Sequence, residues 1–266
     1  MASPTPLDDI AFLARSPHRV SVLDVLAEGP KTRSEIRETT EISQPTLTRI
    51  LGGFEDRSWV EKQGQEYSLT PFGSLLSEEF GALHETVETM QQLETIGPHL
   101  PLEDMDFDVR LFRDATITLP RPPDVQATLR RGEELIRDAS RIRWLGATFT
   151  LDSLPKQRGL VLERGQTQEI IIGSDAFEGM LSHSQAVPVV RELLATEYVT
   201  VYRYAGEIPF TLVLTDDVAG IVPYNDEGAP CALIDTEDET VREWVVDTLD
   251  DYRNQAERIT VDDLPD

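Results

Sequence analysis

Gln44, Thr46, Thr48 and Arg49 place short hydrogen-bonding groups and one guanidinium within a single run, Glu41-Ile-Ser-Gln-Pro-Thr-Leu-Thr-Arg-Ile-Leu-Gly-Gly-Phe54. Side chains of these types read base edges: glutamine pairs with adenine, arginine with guanine, and threonine with either a base or a phosphate. Between them, Leu47, Ile50, Leu51 and Phe54 recur at the i, i+3, i+4, i+7 spacing of one buried helix face. The spacing predicts a helix with an apolar flank in a core and a polar flank clear of bulky groups, with Gly52 and Gly53 on that open side. A recognition helix needs that division. Ser43 is the expected N-cap, and Pro45 falls in the first turn, where its missing N–H does no harm.

No comparable pattern points to catalysis. His18, His84, His99 and His183 are scattered and Cys231 is the only cysteine, so no disulfide within the chain, no metal cluster and no cofactor is expected. Gly146-Ala-Thr148 and Gly173-Ser-Asp175 follow strand-like runs but lack the glycine spacing and the lysine of a phosphate loop. In an open α/β sheet, ligands gather at the carboxyl ends of parallel strands. Thr148, Ser174 and Asp175 are therefore candidate effector-binding groups, with Arg203 as an anion partner. Trp144 and Trp244 read as core.

The elements that must position the polar helix follow in order. Leu7–Ala14 is a short amphipathic segment, and Pro17 opens a helix with Val20, Val22, Leu23, Val25 and Leu26 inward, stopped by Gly29-Pro30. Thr32-Arg-Ser-Glu35 has the form of a capping box. After Phe54, two alternating segments within Trp59–Leu69 flank a Gly-centred turn, which predicts a hairpin. Helix, helix, turn, helix and hairpin make a winged helix-turn-helix over residues 1–70. Arg33, Ser43, Thr48, Lys62 and Gln63 then join Gln44, Thr46 and Arg49 as the expected DNA-binding set. A helix over 71–97 carries Leu75, Leu76, Phe80, Leu83, Val87, Met90 and Leu93 on one stripe, long enough to suggest a homodimer.

Gly97-Pro98 breaks that helix, and an acidic linker over 98–110 is the expected boundary. From 111 to 266, alternating strands and helices give way to a meander of strands. A mixed α/β sheet with helices on its faces follows, closed by a helix over Glu237–Arg258.

Composition adds one unusual feature. With 49 Asp plus Glu against 24 Lys plus Arg, the 266-residue chain carries a net charge of −25, and only Lys31, Lys62 and Lys156 are lysine. Such acidity suits a cell interior of very high salt, where crowded carboxylates are screened. There, counterion release contributes little to nucleic-acid binding, so shape, hydrogen bonds and a local basic patch must carry it. No apolar run approaches the roughly 18 residues of a membrane span, and a cytoplasmic protein is expected.

The runs Leu23-Asp-Val-Leu26, Ser43-Gln-Pro-Thr-Leu-Thr-Arg-Ile-Leu51, Trp59-Val60 and Tyr67-Ser-Leu-Thr-Pro-Phe-Gly73 resemble the winged-helix domain of haloarchaeal transcriptional regulators. By layout, the second half is similar to the effector domain of methanogenesis-regulator-type proteins, kin to the TrmB-type regulators. This resemblance implies a DNA-binding dimer with a metabolite-responsive domain of phospholipase-D-like fold, responding to a metabolite or sugar-like effector. It departs from the active phospholipase-D-like enzymes because no His-x-Lys pair is present: His183 is followed by Ser184 and Gln185. The competing reading makes the winged helix a protein-docking module on an enzymatic α/β domain.

Overall fold

The computed structural model describes residues 5–265. The chain divides between Val87 and Glu88 into two compact units.

The first unit begins with α1 (Pro6–Ala14) and α2 (Pro17–Ala27), followed by β1 (Lys31–Thr32), α3 (Arg33–Thr40) and α4 (Gln44–Glu55). Strands β2 (Val60–Gln63) and β3 (Glu66–Leu69) lead into α5 (Pro71–Leu93). The Thr32 hydroxyl accepts from the Glu35 N–H while the Glu35 carboxylate accepts from the Thr32 N–H, the expected reciprocal cap. Helix α3 ends on Glu41, held at φ 55 in the left-handed region, and this residue makes the turn into α4. Leu47, Ile50, Leu51 and Phe54 of α4 are buried against Leu13, Val22, Leu23, Leu26 and Ile36. The hairpin turns at Gly64 (φ +64) with Val60 opposite Leu69 and Gln63 opposite Glu66. The sheet has a third strand: β1 pairs antiparallel with β3, giving the order β1-β3-β2. A two-residue strand carries no periodicity, so its sequence does not announce it.

The expected α5 stripe divides. Leu76 and Phe80 pack on the first unit's core and Leu93 is buried in that of the second, whereas Leu75, Leu83, Val87 and Met90 are exposed, as is Phe72 ahead of them. Gly73 is buried, and its amide donates to the Thr70 hydroxyl at 3.1 Å while Thr70 donates through N–H to the Trp59 carbonyl at 2.9 Å.

The second unit contains β4 (Thr116–Thr118), α6 (Ala127–Asp138), β5 (Arg141–Gly146), α7 (Leu154–Arg164), β6 (Thr167–Gly173), α8 (Ser174–Leu181) and α9 (Ala186–Leu194). It continues through β7 (Val199–Tyr204), β8 (Phe210–Leu214), β9 (Ala219–Pro223), β10 (Leu233–Thr236), α10 (Glu239–Asn254) and β11 (Glu257–Ile259). Its eight strands form one mixed sheet in the order β11-β7-β6-β5-β8-β9-β10-β4. Strands β5, β6 and β7 run parallel, and the other pairings are antiparallel.

One sheet face, with Leu145, Ile171, Leu212 and Ile221, is covered by Val241, Trp244, Val245 and Leu249 of α10 and by Leu93, Ile96, Leu100, Met105 and Phe112. The segment expected as a linker over 98–110 is thus packed: Leu100 and Met105 are buried, and the Trp244 indole donates to the Asp104 carbonyl at 3.0 Å. Its apolar residues are separated by prolines and acids, which mask their burial. The closing helix also stops short of Arg258, because Glu257–Ile259 pairs with β7 at the sheet edge. On the α10 face lies a charged network. Arg143, with 7 % exposure, donates to Glu169 and to Asp250, both at 2.6 Å, so one guanidinium ties β5 to β6 and α10.

The opposite face, with Val199, Val201 and Ile172, is covered by α7, α8 and α9, whose Leu154, Val161, Phe177, Met180, Val190 and Leu193 are buried there. No helix among the described residues is long and apolar enough to cross a membrane.

Candidate nucleic-acid interface and effector cavity

Helix α4 presents Gln44, Thr48 and Arg49 to solvent, with Thr46 half-buried. Ser43 sits at the N-cap, but its hydroxyl does not cap; it donates to the Thr46 hydroxyl at 3.0 Å. The two hydroxyls therefore occupy each other at the helix start. The expected open flank is narrower than the sequence suggested. Gly53 is covered by Phe12, whose ring lies 2.8 Å from where a Cβ would stand, while Gly52 has open space. A glycine in this helix is thus explained by the close approach of a ring from α1.

That ring also organises a basic group. Arg19 and Arg57 each place a guanidinium 3.8 Å from the Phe12 centroid. Arg57 donates to Asp9 at 2.9 Å and to the Gly53 carbonyl at 3.1 Å, and Arg19 donates to the Phe12 carbonyl. Burial first, and then the like charges of Arg49 and Arg57, push the Arg19 guanidinium below its usual pKa. Arg49 therefore belongs to a positive cluster with Arg19 and Arg57, in which Asp9 pairs only Arg57. Arg19 carried no signal in the sequence, since its neighbours in the cluster are distant along the chain.

The wing and the start of α3 converge on a second point. Arg33 lies 5.3 Å and the Lys62 ammonium 5.6 Å from the centroid of the Tyr67 ring. Gln63 is exposed beside Lys62, with its amide donating to Glu61 at 3.0 Å. Among the described residues, Arg33, Arg37, Arg49 and Lys62 form no ion pair, and Lys31 pairs with Glu28 at 3.4 Å. In the sheet unit Arg110, Arg130, Arg131, Arg137, Arg143 and Arg158 bond carboxylates, whereas Arg164, Arg191 and Arg242 bond backbone carbonyls. Residues 31–62 carry six basic and six acidic side chains, so this stretch is neutral within a chain of net charge −25.

The sheet unit holds a cavity of about 470 Å³ on the face covered by α6 to α9. Inward side chains of β5 and β6 supply its floor, Ile142 and Trp144 beside Gln168, Ile170 and Ile172. The Trp144 indole lies over Gly146, where a Cβ would stand 2.5 Å from the ring, so this glycine makes room for it. Trp144 is half-buried in a cavity wall and not enclosed in the core as expected, whereas Trp244 is buried.

Of the four effector-binding candidates, Thr148 lines the cavity. Ser174, Asp175 and Arg203 do not: Ser174 donates to the Tyr204 carbonyl at 3.2 Å, Asp175 is exposed in the first turn of α8, and Arg203 pairs with Glu257 at 2.6 Å on the sheet edge. The strand-end rule looks past the cavity because it opens on a sheet face beneath helices. A polar residue at an inward strand position, Gln168, was the signal available. Among the described residues no cluster of histidine, cysteine or carboxylates could hold a metal.

Comparison with known proteins divides the chain in the same way. Residues 7–92 match a family model described as the HVO_A0261 N-terminal domain, and residues 125–255 match one described as the Methanogenesis regulatory protein FilR1, middle domain. Among solved structures, TrmBL2, described as an archaeal chromatin protein with a novel mode of DNA binding, is 14% identical with a TM-score of 0.43 over 95% of this chain and 99% of its own. Nuc of Salmonella typhimurium, a phospholipase D family member, is 14% identical with a TM-score of 0.43 over 55% of this chain and 99% of its own. Quinone-bound YodB of B. subtilis is 30% identical with a TM-score of 0.29 over 31% of this chain and 94% of its own. No curated protein matches the sequence.

Proposed function

We infer, from a chain that carries an HVO_A0261-type amino-terminal domain ahead of a FilR1 middle domain, that the protein is a DNA-binding transcription regulator. The observation that carries this reading is the set of unpaired cations around α4. In a chain with acids in twofold excess, Arg33, Arg37, Arg49 and Lys62 are exposed and, among the described residues, have no carboxylate partner. Cations so placed suit phosphates and base edges. Gln44 and Arg49 are the base-reading groups, while Thr46 and Thr48, with Ser43 at the helix start, are short enough to bond the backbone. Arg33, Lys62 and Gln63 serve the flanking phosphates or minor groove.

Binding is measured by anisotropy titration in molar potassium chloride, using the promoter beside the protein's own gene against a scrambled duplex. Arg49→Ala is expected to weaken promoter binding by about 1–3 kcal/mol, with a smaller loss on the scrambled duplex. Equal affinity for both duplexes, unchanged in the variant, would sink the reading.

The homodimer rests on α5, where exposed Phe72, Leu75, Leu83 and Val87 form an apolar strip that a second copy would cover. Light scattering of Leu83→Glu is expected to give a monomer mass where the parent protein gives a dimer; an unchanged mass would remove this interface. The sheet domain's cavity is the effector site in this reading. Its occupant regulates DNA binding only through unequal affinity for the two states of the protein.

A further inference from the structure

Resting on the reading that the sheet domain senses an effector, we propose that its cavity takes a neutral, largely apolar ligand. The ligand is an aromatic or alicyclic molecule with one hydrogen-bond donor, and neither a sugar phosphate nor a carboxylate. Its volume of about 470 Å³ lies within the roughly 300–1,000 Å³ of small-molecule sites. The walls are chiefly aliphatic and aromatic, Trp144 and Phe149 among them. No arginine, lysine or histidine lines it, and the one charged lining residue, Glu133, is held by Lys156 at 2.6 Å. An anion entering here would be desolvated without a counter-charge.

Among the polar side chains of the lining, which include Thr148, Thr150 and Thr211, Gln168 sets the donor. Gln166 donates through its amide to the carbonyls of Ile136 at 2.7 Å and Ala139 at 2.8 Å, which fixes its oxygen as an acceptor. That oxygen takes the Gln168 amide at 2.8 Å. Gln168 is only 4 % exposed and lines the cavity, and its own Oε1 has no hydrogen-bond partner among the described residues. An acceptor held in this orientation, on a side chain that lines the cavity, is matched by an O–H or N–H on the ligand.

Calorimetric titration of the full chain in molar potassium chloride tests this with four probes: 2-naphthol, 2-methoxynaphthalene, 2-naphthoate and glucose 6-phosphate. Saturable one-to-one binding of 2-naphthol is expected, about threefold to tenfold tighter than the methoxy compound that lacks the donor. Naphthoate and glucose 6-phosphate should not bind. Gln168→Met should erase the difference between the first two probes, and Ile170→Trp should fill the cavity and abolish both. Preference for either anion, or no saturable binding by any probe in the parent protein, overturns the proposal even if a variant fails to fold. So does 2-naphthol binding that Ile170→Trp leaves intact. Promoter affinity measured with and without saturating 2-naphthol separates the two readings. Binding with unchanged promoter affinity upholds the cavity assignment and overturns only its sensing role, while failure of all probes with intact promoter recognition overturns this proposal alone.

Discussion

Gly73→Ala is expected to destabilise the amino-terminal unit by about 3 kcal/mol or more and to abolish promoter binding with it. A Cβ at this position would stand 1.9 Å from the Trp59 carbonyl oxygen and 2.9 Å from its carbon. Both are backbone atoms, so no side-chain rotation relieves the clash. The same carbonyl accepts the Thr70 N–H, and the Thr70 hydroxyl accepts the Gly73 N–H, so displacing α5 would break the bonds that start it. A loss of this size is a large share of the about 5–15 kcal/mol that holds an ordinary domain folded. Gly81 in the same helix provides the control, because nothing lies within 4 Å of its Cβ position. Gly81→Ala should be neutral or stabilising by up to about 1 kcal/mol, as expected for exchanging glycine in a helix interior. Amide exchange across residues 5–87 in both variants gives the answer. Equal protection in Gly73→Ala and the parent protein would show that α5 does not depend on that close approach.

Arg143→Leu is expected to destabilise the sheet unit by about 3 kcal/mol, the low end of what breaking a buried ion pair costs, because the Asp250 side chain retains 39% exposure. The variant strands Glu169, a side chain with 21% exposure, near Asp250, with Arg253 at 3.7 Å and 3.2 Å as their remaining partner. Partly buried charges are screened less than surface ones, so molar salt should not rescue the variant. Arg130→Leu, which breaks the exposed pair with Asp124, should leave the transition unmoved. Adding Glu169→Gln and Asp250→Asn to Arg143→Leu should recover part of the loss, since the stranded carboxylates are its source. Thermal unfolding followed by circular dichroism reads all four proteins; a transition in Arg143→Leu no lower than in Arg130→Leu would refute the account.

The two units were legible to different degrees. Helix α4 was readable because Leu47, Ile50, Leu51 and Phe54 repeat within three turns, and the cap at Thr32 and the Gly64 turn are equally local. The alternation of strands and helices in the second half, and the meander that follows it, were readable for the same reason. Where α10 ends and β11 begins was not. Glu257–Ile259 becomes a strand because β7 offers it an unpaired edge, and nothing in three residues states that. The 98–110 segment read as a linker because prolines and four acids interrupt its apolar groups, yet Leu100 and Met105 among these are buried against the sheet.

The amino-acid sequence by itself determined a two-part chain, a polar-faced helix at residues 44–55 and a strand-rich carboxyl half, since each depends on residues within a turn or two of one another. Tertiary structure alone decided the rest. It brought Arg19 and Arg57 to the two guanidinium contacts on Phe12, set Arg33 and Lys62 around one tyrosine ring, and opened a cavity over Gln168 whose walls come from residues as far apart as Pro120 and Leu233. Periodicity says which side of an element turns inward; it does not say what meets it there, because that depends on how closely distant elements pack.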